Sequence, residues 1–505
     1  MYEKYFRSTR PESDRWLMVC LPAPFTMRPP LVSTNTFAPI RRPLPRMAVI
    51  GLIGLASLGG GLSGCAVHKV QLDPRPLVAA TPTKEEPAAD APAWWSEWSM
   101  PQLDALIREA LARNFDAAAA KERFEQALAT YGRAQGANRP QLNLTGGYSR
   151  DVKADSRALR DDQWSAGLSA TWELDVFRRL DSTRLARKAD AASRQGALDT
   201  ARLTVSVGVA EAYFGIVEQR SLLALLQQQA KTASDLLRLV EQRYEQGVVS
   251  RLDVLQQQSQ LSDLRSQIPP AEAALGELYG QLATLLGRLP GEADFAGQAS
   301  ANKFPALPAL PTIGDPSALL RLRPDLRSAQ ADLISADAET ARALADRIPR
   351  LSLSLDGLKT YNRGGEFGTI ILGASLVQPL LDWGNRRSEW VRTKAVYRER
   401  LNSFTQSYIK AVWEVDSLLR TGSKQIELLE RLEERKALLQ ATLDQARSRY
   451  DSGLTDYLPV FTAVQQLYAI EQRLVREQRR LVSLRVSLHR SLGGPLGPEP
   501  TPAKS

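Results

Sequence analysis

The segment Arg243-Tyr244-Glu245-Gln246-Gly247 returns 206 positions later as Arg449-Tyr450-Asp451-Ser452-Gly453. The similarity continues without a gap, and twelve of the forty-five positions in 243–287 are identical to their counterparts in 449–493. Further upstream, Leu174-Asp175 matches Leu381-Asp382 in nearly the same register. A repeat of this length indicates a duplicated domain, because the units of solenoid proteins are only ~20–50 residues long.

Each copy contains the pattern of a long helical hairpin. The runs 181–246 and 387–450 contain no proline and, as helices rising 1.5 Å per residue, would each extend ~100 Å. The returning segments carry apolar residues at coiled-coil spacing, so the helices must pack against partners. Gly247 and Gly453 mark the hairpin tips, with Ser250 and either Thr455 or Asp456 as expected N-caps. The pair Pro269-Pro270 is expected to interrupt and kink the first returning helix.

Between shorter helices, at about 102–138 and 316–347, and these long ones, the hydrophobic period changes to two. It predicts two β-hairpins, 141–175 and 350–381, with polar loops at 150–162 and 356–367. Four strands of ~8–12 residues have the length and alternation of outer-membrane strands, although hairpins on a soluble core show the same period. If the strands enter lipid, several chains must pool them, because four strands cannot close a barrel. Trp164 and Trp172 are candidates for an interfacial aromatic belt.

Composition excludes several functional classes. The 505-residue chain has only 2 Cys and 2 His, too few for a Cys/His zinc site or a disulfide framework. The net charge of +9 is concentrated in residues 1–64, and the remainder has 57 basic and 53 acidic side chains, which argues against a nucleic-acid-binding surface. There is no phosphate-binding loop of the Gly-x-x-x-x-Gly-Lys-Ser/Thr type, so the energy for any transport must come from a partner.

The N-terminal region has the form of a signal peptide. A basic, proline-rich stretch at 41–46 precedes an apolar run at 48–62 that is too short to be a transmembrane helix. The run ends in Leu62-Ser63-Gly64-Cys65, which resembles the bacterial lipobox and makes Cys65 the predicted lipidation site. By the same resemblance, Ala66 favours sorting to the outer membrane. The alternative is a buried free cysteine, and translation could begin at Met27 or Met47.

Four features together resemble the outer-membrane efflux protein family, the TolC-like channels. They are the lipobox, the duplication, the strand hairpins between helices and the Arg-Tyr-x-x-Gly tips. The motifs Gly247-x-x-Ser250-x-Leu252-Asp253-Val254 and Leu322-Arg323-Pro324-Asp325-Leu326-Arg327 are closest to its lipidated branch, which serves multidrug (RND-type) pumps and includes nodulation-type exporters. The resemblance covers about residues 94–494. It implies a mixed, mainly α fold: a homotrimer with a twelve-stranded transmembrane β-barrel in the outer membrane and a periplasmic α-barrel of long helical hairpins.

The same resemblance implies a passive exit duct, not an enzyme, with no cofactor and no metal. Its implied partners are a periplasmic adaptor, a proton-driven inner-membrane pump and outer-membrane lipid. The family's pore constriction corresponds to Leu458, with Thr462 and Gln465 in place of acidic and basic residues and Asp456 as the nearest acidic substitute. The positions expected at the tip and in adaptor contact are Arg243, Tyr244, Gly247, Arg449, Tyr450 and Gly453.

The expected organisation is a leader (1–64), a lipidated linker (65–100), a first repeat (101–290), a linker (291–315), a second repeat (316–494) and a tail (495–505). The long helical hairpins are expected at 181–288 and 387–492. Two other functions fit parts of the sequence: a coiled-coil envelope lipoprotein without a pore, and a lipid-anchored hydrolase. Neither His68 nor His489 lies in a plausible Ser/His/Asp arrangement, and glycine-rich nucleophile elbows are absent.

Overall fold

The computed structural model describes residues 93–150, 162–289, 304–308, 310, 315–362 and 365–495. The leader, the Cys65 lipidation site, the loop between the first two strands and most of the linker between the repeats lie outside these residues.

The two halves of the chain have the same order of elements: short helices, two strands, then two long helices. The first half comprises α1 (Pro101–Arg113), α2 (Phe115–Gly136), β1 (Gln141–Arg150), β2 (Asp162–Leu174), α3 (Arg179–Glu245) and α4 (Arg251–Leu285). The second comprises α5 (Leu319–Leu322), α6 (Pro324–Ala345), β3 (Arg350–Asn362), β4 (Gly365–Val377), α7 (Asn385–Asp451) and α8 (Leu458–Ser491). The mainly helical fold with four strands and an internal two-fold repeat is thus confirmed.

The long helices dominate the molecule. α3 and α7 each contain 67 residues, equivalent to ~100 Å of helix. The described helices include none that is both long and apolar enough to cross a membrane.

The expectation that Pro269-Pro270 interrupts the returning helix is wrong, since α4 continues through both prolines. Both are exposed, and so are Arg265 and Ser266 one turn before them, so water can solvate the carbonyl groups that lose their hydrogen bonds. On the other side of the helix, Leu264 and Ala271 are buried and hold α4 in place.

The four strands form one antiparallel sheet in the order β1-β2-β3-β4. The two repeats meet where β2 pairs with β3, for example at Trp172↔Leu353. The predicted polar loop at 356–367 is wrong, because Asp356 pairs with Ile371 and the ladder continues to Asn362↔Gly365. Polar side chains there are tolerated because they lie on the sheet surface, where Lys359 forms an ion pair with Glu366.

Of the three apolar cores among the described residues, one joins α5 and α6 to α7 and α8 around Leu326, Tyr408 and Leu488. The other two run along the long helices. One surrounds the buried Trp94, Trp95 and Trp98, which pack against the middle of α3 together with α1. The other runs along α3, α4, α7 and α8 down to the hairpin tips, where it includes Tyr450 and Tyr457. This second core couples the two hairpins and positions the candidate site.

Candidate functional site

The two hairpin tips have the same backbone geometry. Gly247 and Gly453 adopt φ angles of +73° and +71°. Three residues beyond each helix, the N–H of Val248 donates to Arg243 O, and the N–H of Leu454 donates to Arg449 O, both at 2.9 Å. This is the Schellman termination, which requires a left-handed residue after the helix and therefore favours glycine.

The helices that return from the tips begin differently. Ser250 caps α4 as predicted, and its side chain and that of Asp253 form a reciprocal capping box. The prediction that Thr455 or Asp456 caps the second returning helix is wrong: α8 begins at Leu458, and Tyr457 holds the N-cap position without a side-chain cap. Pro459 suits this start, because a residue in the first turn of a helix needs no N–H partner.

The first tip contacts the second through an arginine. The Arg243 guanidinium carbon lies 4.5 Å from the centre of the Tyr450 ring, and its Nη2 lies 3.4 Å from Asp451 Oδ1. The repeat-related residues have other surroundings, since Tyr450 is 7% exposed, Tyr244 is 40% exposed and Arg449 is exposed. The six tip residues predicted from the sequence therefore divide into a buried contact and an exposed surface.

A buried polar network lies directly behind this contact. Tyr457 is 1% exposed, and its Oη donates a 2.6 Å hydrogen bond to Gln257 Oε1 of α4. Burial raises the pKa of the Tyr457 hydroxyl above its usual range, so this group stays neutral. The edge of the Tyr457 ring packs against Tyr450 at 5.7 Å between ring centres. Sequence reasoning missed this pair, although a tyrosine directly before a helix and glutamines within an apolar seam were visible signals.

The predicted constriction residues lie on one face of α8. Leu458, Thr462 and Gln465 follow spacings of four and three residues and are all exposed, Leu458 by 54%. Gln465 also donates through Nε2 to Gln260 Oε1 of α4 at 2.8 Å, which ties this face to the first hairpin. Asp456 is exposed just before the helix and is not on this face.

The sheet has two chemically different faces. The strand register places large apolar side chains on one side, and most of them are strongly exposed: Leu142, Leu144, Trp164, Leu168, Trp172, Leu355, Ile370, Leu372 and Leu376. The other side carries mainly small polar residues, including Asn143, Thr145, Ser165, Ser169, Ser352, Ser354 and Ser375. The exceptions are the apolar Leu358, Phe367, Ile371 and Val377 on this side, and the Lys359–Glu366 ion pair on the apolar side. An exposed apolar face this large marks a surface that is covered by lipid or by another molecule.

Aromatic residues lie at both ends of the apolar face. Trp164 packs against Tyr148 with tilted rings, 4.7 Å between ring centres, and lies opposite Tyr361 of β3 at the end near the strand loops. Trp172 lies at the end nearer the helices. Eight residues separate the two tryptophans, ~27 Å along the strand and ~20 Å after a typical barrel tilt, close to the height of the apolar band of outer-membrane barrels.

Within the described residues, no group of three or more His, Cys, Asp or Glu side chains could hold a metal ion. A sheet with one apolar face, bordered by aromatic residues, and one mainly polar face has the pattern of outer-membrane barrel strands.

Comparison with known proteins agrees with this architecture. The sequence model of the outer membrane efflux protein family matches residues 106–288 and 316–494. The chain is 31% identical over 424 residues to the pyoverdine export outer membrane protein OpmQ of Pseudomonas aeruginosa, covering 81% of this chain and 88% of that protein. It is 25% identical over 419 residues to nodulation protein T of Rhizobium leguminosarum bv. trifolii, covering 80% and 88%.

Among solved structures, the outer-membrane channel OprN superposes with a TM-score of 0.74 at 26% identity, covering 82% of this chain and 95% of OprN. The chain belongs to the outer membrane efflux protein family. It is an outer-membrane efflux channel protein, as the TolC-like resemblance implied.

Proposed function

We propose that three copies of this chain form the passive exit duct of a tripartite efflux system for small molecules such as drugs. The observation that carries the proposal is the two-faced sheet with two open edges. In the described chain, β1 and β4 each pair on one side only. Unpaired backbone groups cannot face hydrocarbon, so the sheet must close with strands of other copies, and three copies supply twelve.

The long helices would continue the barrel as a tunnel into the periplasm. α3 and α7 leave the sheet at Arg179 and Asn385, directly after the strands, and end at the tips ~100 Å away. In this arrangement the apolar face of the sheet contacts lipid and the polar face lines water. The exposed tip surface, with Tyr244, Gly247, Arg449 and Gly453, would meet the periplasmic adaptor, and a proton-driven inner-membrane pump would supply the energy.

The constriction would lie at the second tip. Leu458 heads the exposed face of α8, and three copies around an axis would bring three leucines together. The contacts of Arg243 with Tyr450 and of Tyr457 with Gln257 would hold the second hairpin against the first in the resting state. Opening would require these contacts to loosen, which adaptor binding at the tips could bring about.

A lipid on Cys65 is compatible with the position of the N-terminal segment. Trp94 donates through Nε1 to Ser206 Oγ, at a point on α3 that is ~40 Å of helix from Arg179. The segment 65–93 can span up to ~95 Å when extended, so an acyl chain on Cys65 can reach the membrane.

The alternative function, an envelope lipoprotein without a pore, predicts a different assembly. Two measurements test the proposal. The first is the oligomeric mass of the detergent-extracted protein, and the second is drug export from cells that lack the gene and carry a plasmid copy of it. A trimer that restores export only when the pump and adaptor are present supports the proposed duct. A monomer, or a trimer that never restores export, contradicts it.

A further inference from the structure

One stripe of α8 continues from the constriction into three arginines. On a helix, Leu458, Thr462, Gln465, Ala469, Arg473, Arg476 and Arg480 fall within one narrow face, because their spacings are four, three, four, four, three and four. The opposite side is buried and apolar, with Val460, Val464, Leu467, Ile470, Leu474 and Leu481. From Leu458 to Arg480, the only other exposed residues of α8 are Pro459 and Gln466, which border the stripe.

The three arginines differ from their neighbour Arg479, which is a structural arginine. Arg479 is largely buried and forms ion pairs with Glu211 at 2.6 Å and Glu218 at 3.9 Å. Arg473 has only a 3.8 Å pair with Glu477 on the same helix. Within the described residues, Arg476 and Arg480 form no ion pair, although Arg476 acts on the Glu218 carboxyl of α3 through space.

The fold does not require arginine at these places. The repeat-related positions in α4 are Gln267, Pro270 and Ala274, and α4 is helical throughout. The first repeat contributes one acidic residue to the matching face, Asp263, at the position of Ala469. Together the two faces therefore hold three positive charges and one negative charge in each chain.

We infer that this arginine stripe, Arg473, Arg476 and Arg480, lines the duct above the constriction and makes it favour anionic cargo. The inference rests on the proposed function, because it takes Leu458 as facing the channel axis. The arginine stripe begins ~23 Å from Leu458 along the helix, at Arg473, and ends ~33 Å from it, at Arg480. In a trimer it supplies nine positive charges within a narrow tunnel, where low-dielectric walls focus the field and raise the local concentration of anions.

Because the constriction itself carries no charge, the arginine stripe determines which charge the duct favours. Where other family members are expected to carry an acidic and a basic residue, this chain has Thr462 and Gln465. Between Leu458 and Ala469, the same face of α8 carries no charge that opposes the arginines above it. Small anions, and organic molecules with exposed carboxylate or similar groups, are thus the class that the duct accepts best.

The test is the reversal potential of single channels in a planar bilayer under a KCl gradient, with the trimer mass checked on each sample. We expect wild type to prefer chloride over potassium, and the variant R473Q/R476Q/R480Q to lose this preference. Replacing the same three residues with lysine should restore it, because charge rather than hydrogen-bond geometry sets the field. The matched control is R108Q/R113Q/R321Q, which removes three exposed arginines from α1 and α5.

The inference is supported if R473Q/R476Q/R480Q loses the chloride preference while the control variant keeps the preference of wild type. Wild-type channels that prefer potassium, or a glutamine variant as anion-selective as wild type, would overturn it while leaving the duct intact. If the triple variant fails to assemble, the sign of the wild-type preference and the single variant R476Q decide the matter. A trimer that conducts nothing would instead contradict the proposed function on which the inference rests.

Discussion

Tyr457 and Gln257 lie two hundred positions apart in the sequence, yet they share a buried 2.6 Å hydrogen bond. Tyr457 precedes α8 in the second hairpin, and Gln257 lies two turns into α4 of the first. Gln257 also donates through Nε2 to Ala233 O of α3, so its side chain is fixed from both ends. The hydrogen bond therefore fastens the start of α8 to the first hairpin.

Tyr457→Phe should loosen the tip without dismantling the trimer. The ring packing against Tyr450 survives, but Gln257 Oε1 is left without its donor in a buried place, at a cost of about 1–2 kcal/mol. We expect more frequent channel openings and easier entry of large antibiotics into cells. Tyr244→Phe, at the exposed repeat-related tip, is the matched control. Equal antibiotic entry in the two variants would show that the buried bond does not hold the tip closed.

Arg243→Gln should weaken the contact between hairpins, whereas Arg449→Gln should not. Arg243 stacks on Tyr450 and pairs with Asp451, while Arg449 is exposed. Because the ion pair is partly open to solvent, the combined loss should be about 0.5–1 kcal/mol. A double-mutant cycle with Asp451→Asn, read by denaturant unfolding, separates the ion pair from the ring contact. A coupling energy of zero would assign the effect of Arg243 to the ring alone.

Acid should destabilise the region around the buried tryptophans. Burial, and then the nearby Arg485, lower the pKa of His489 to about 4, below the ordinary value near 6.5. Its folded-state pKa is depressed, so the unfolded chain binds the proton first and stability falls as pH drops from about 6.5 to about 4, by at most about 3 kcal/mol. Burial raises the pKa of the neighbouring Glu97, which works in the opposite direction.

The comparison of unfolding at pH 7 and pH 5 tests this account of His489. The variant His489→Leu should lose less stability between the two pH values than wild type does. Its stacking contact with Trp94, 5.6 Å between ring centres, is lost at both pH values and cancels in the difference. An identical pH dependence in the two proteins would assign acid sensitivity to other groups.

Cys65→Ala should abolish lipidation but leave trimer assembly partly intact, because the proposed barrel would anchor the protein independently. Metabolic labelling with a radioactive fatty acid measures the first effect, and fractionation of cell envelopes measures the second. Complete release of a folded trimer into the periplasm would contradict the assignment of the strands to the membrane. Continued labelling of the variant would move the lipidation site away from Cys65.

The sequence predicted those features that depend on local pattern. The duplication, the long helices and the four strands follow from hydrophobic periods and from glycines at positions of positive φ, which favour glycine, such as Gly247 and Gly453. The extent of β3 and β4 was missed, because a polar run such as Asp356–Asn362 reads as a loop until a partner strand completes its ladder. The continuity of α4 through Pro269-Pro270 likewise depends on packing by distant residues.

The site was predicted only in part, for a related reason. Repeat-related residues such as Arg243 and Arg449 share the motif Arg-Tyr-x-x-Gly, which does not distinguish the arginine that contacts Tyr450 from the exposed one. Tyr457 was not singled out because its partner Gln257 belongs to the other repeat. The helical spacing of Arg473, Arg476 and Arg480 can be recognised in the sequence. Their exposure follows only from the structure, in which the opposite face of α8 is buried.

The central claim is a trimeric duct that is narrowed at Leu458. The most direct measurement is the single-channel conductance of the purified protein in a planar bilayer, for wild type and Leu458→Ser, with the oligomeric mass determined on the same samples. The proposed duct predicts trimers with small, flickering currents that grow in the serine variant, because a smaller polar side chain widens and wets the constriction. A silent monomer, under conditions in which a known porin conducts, would contradict it.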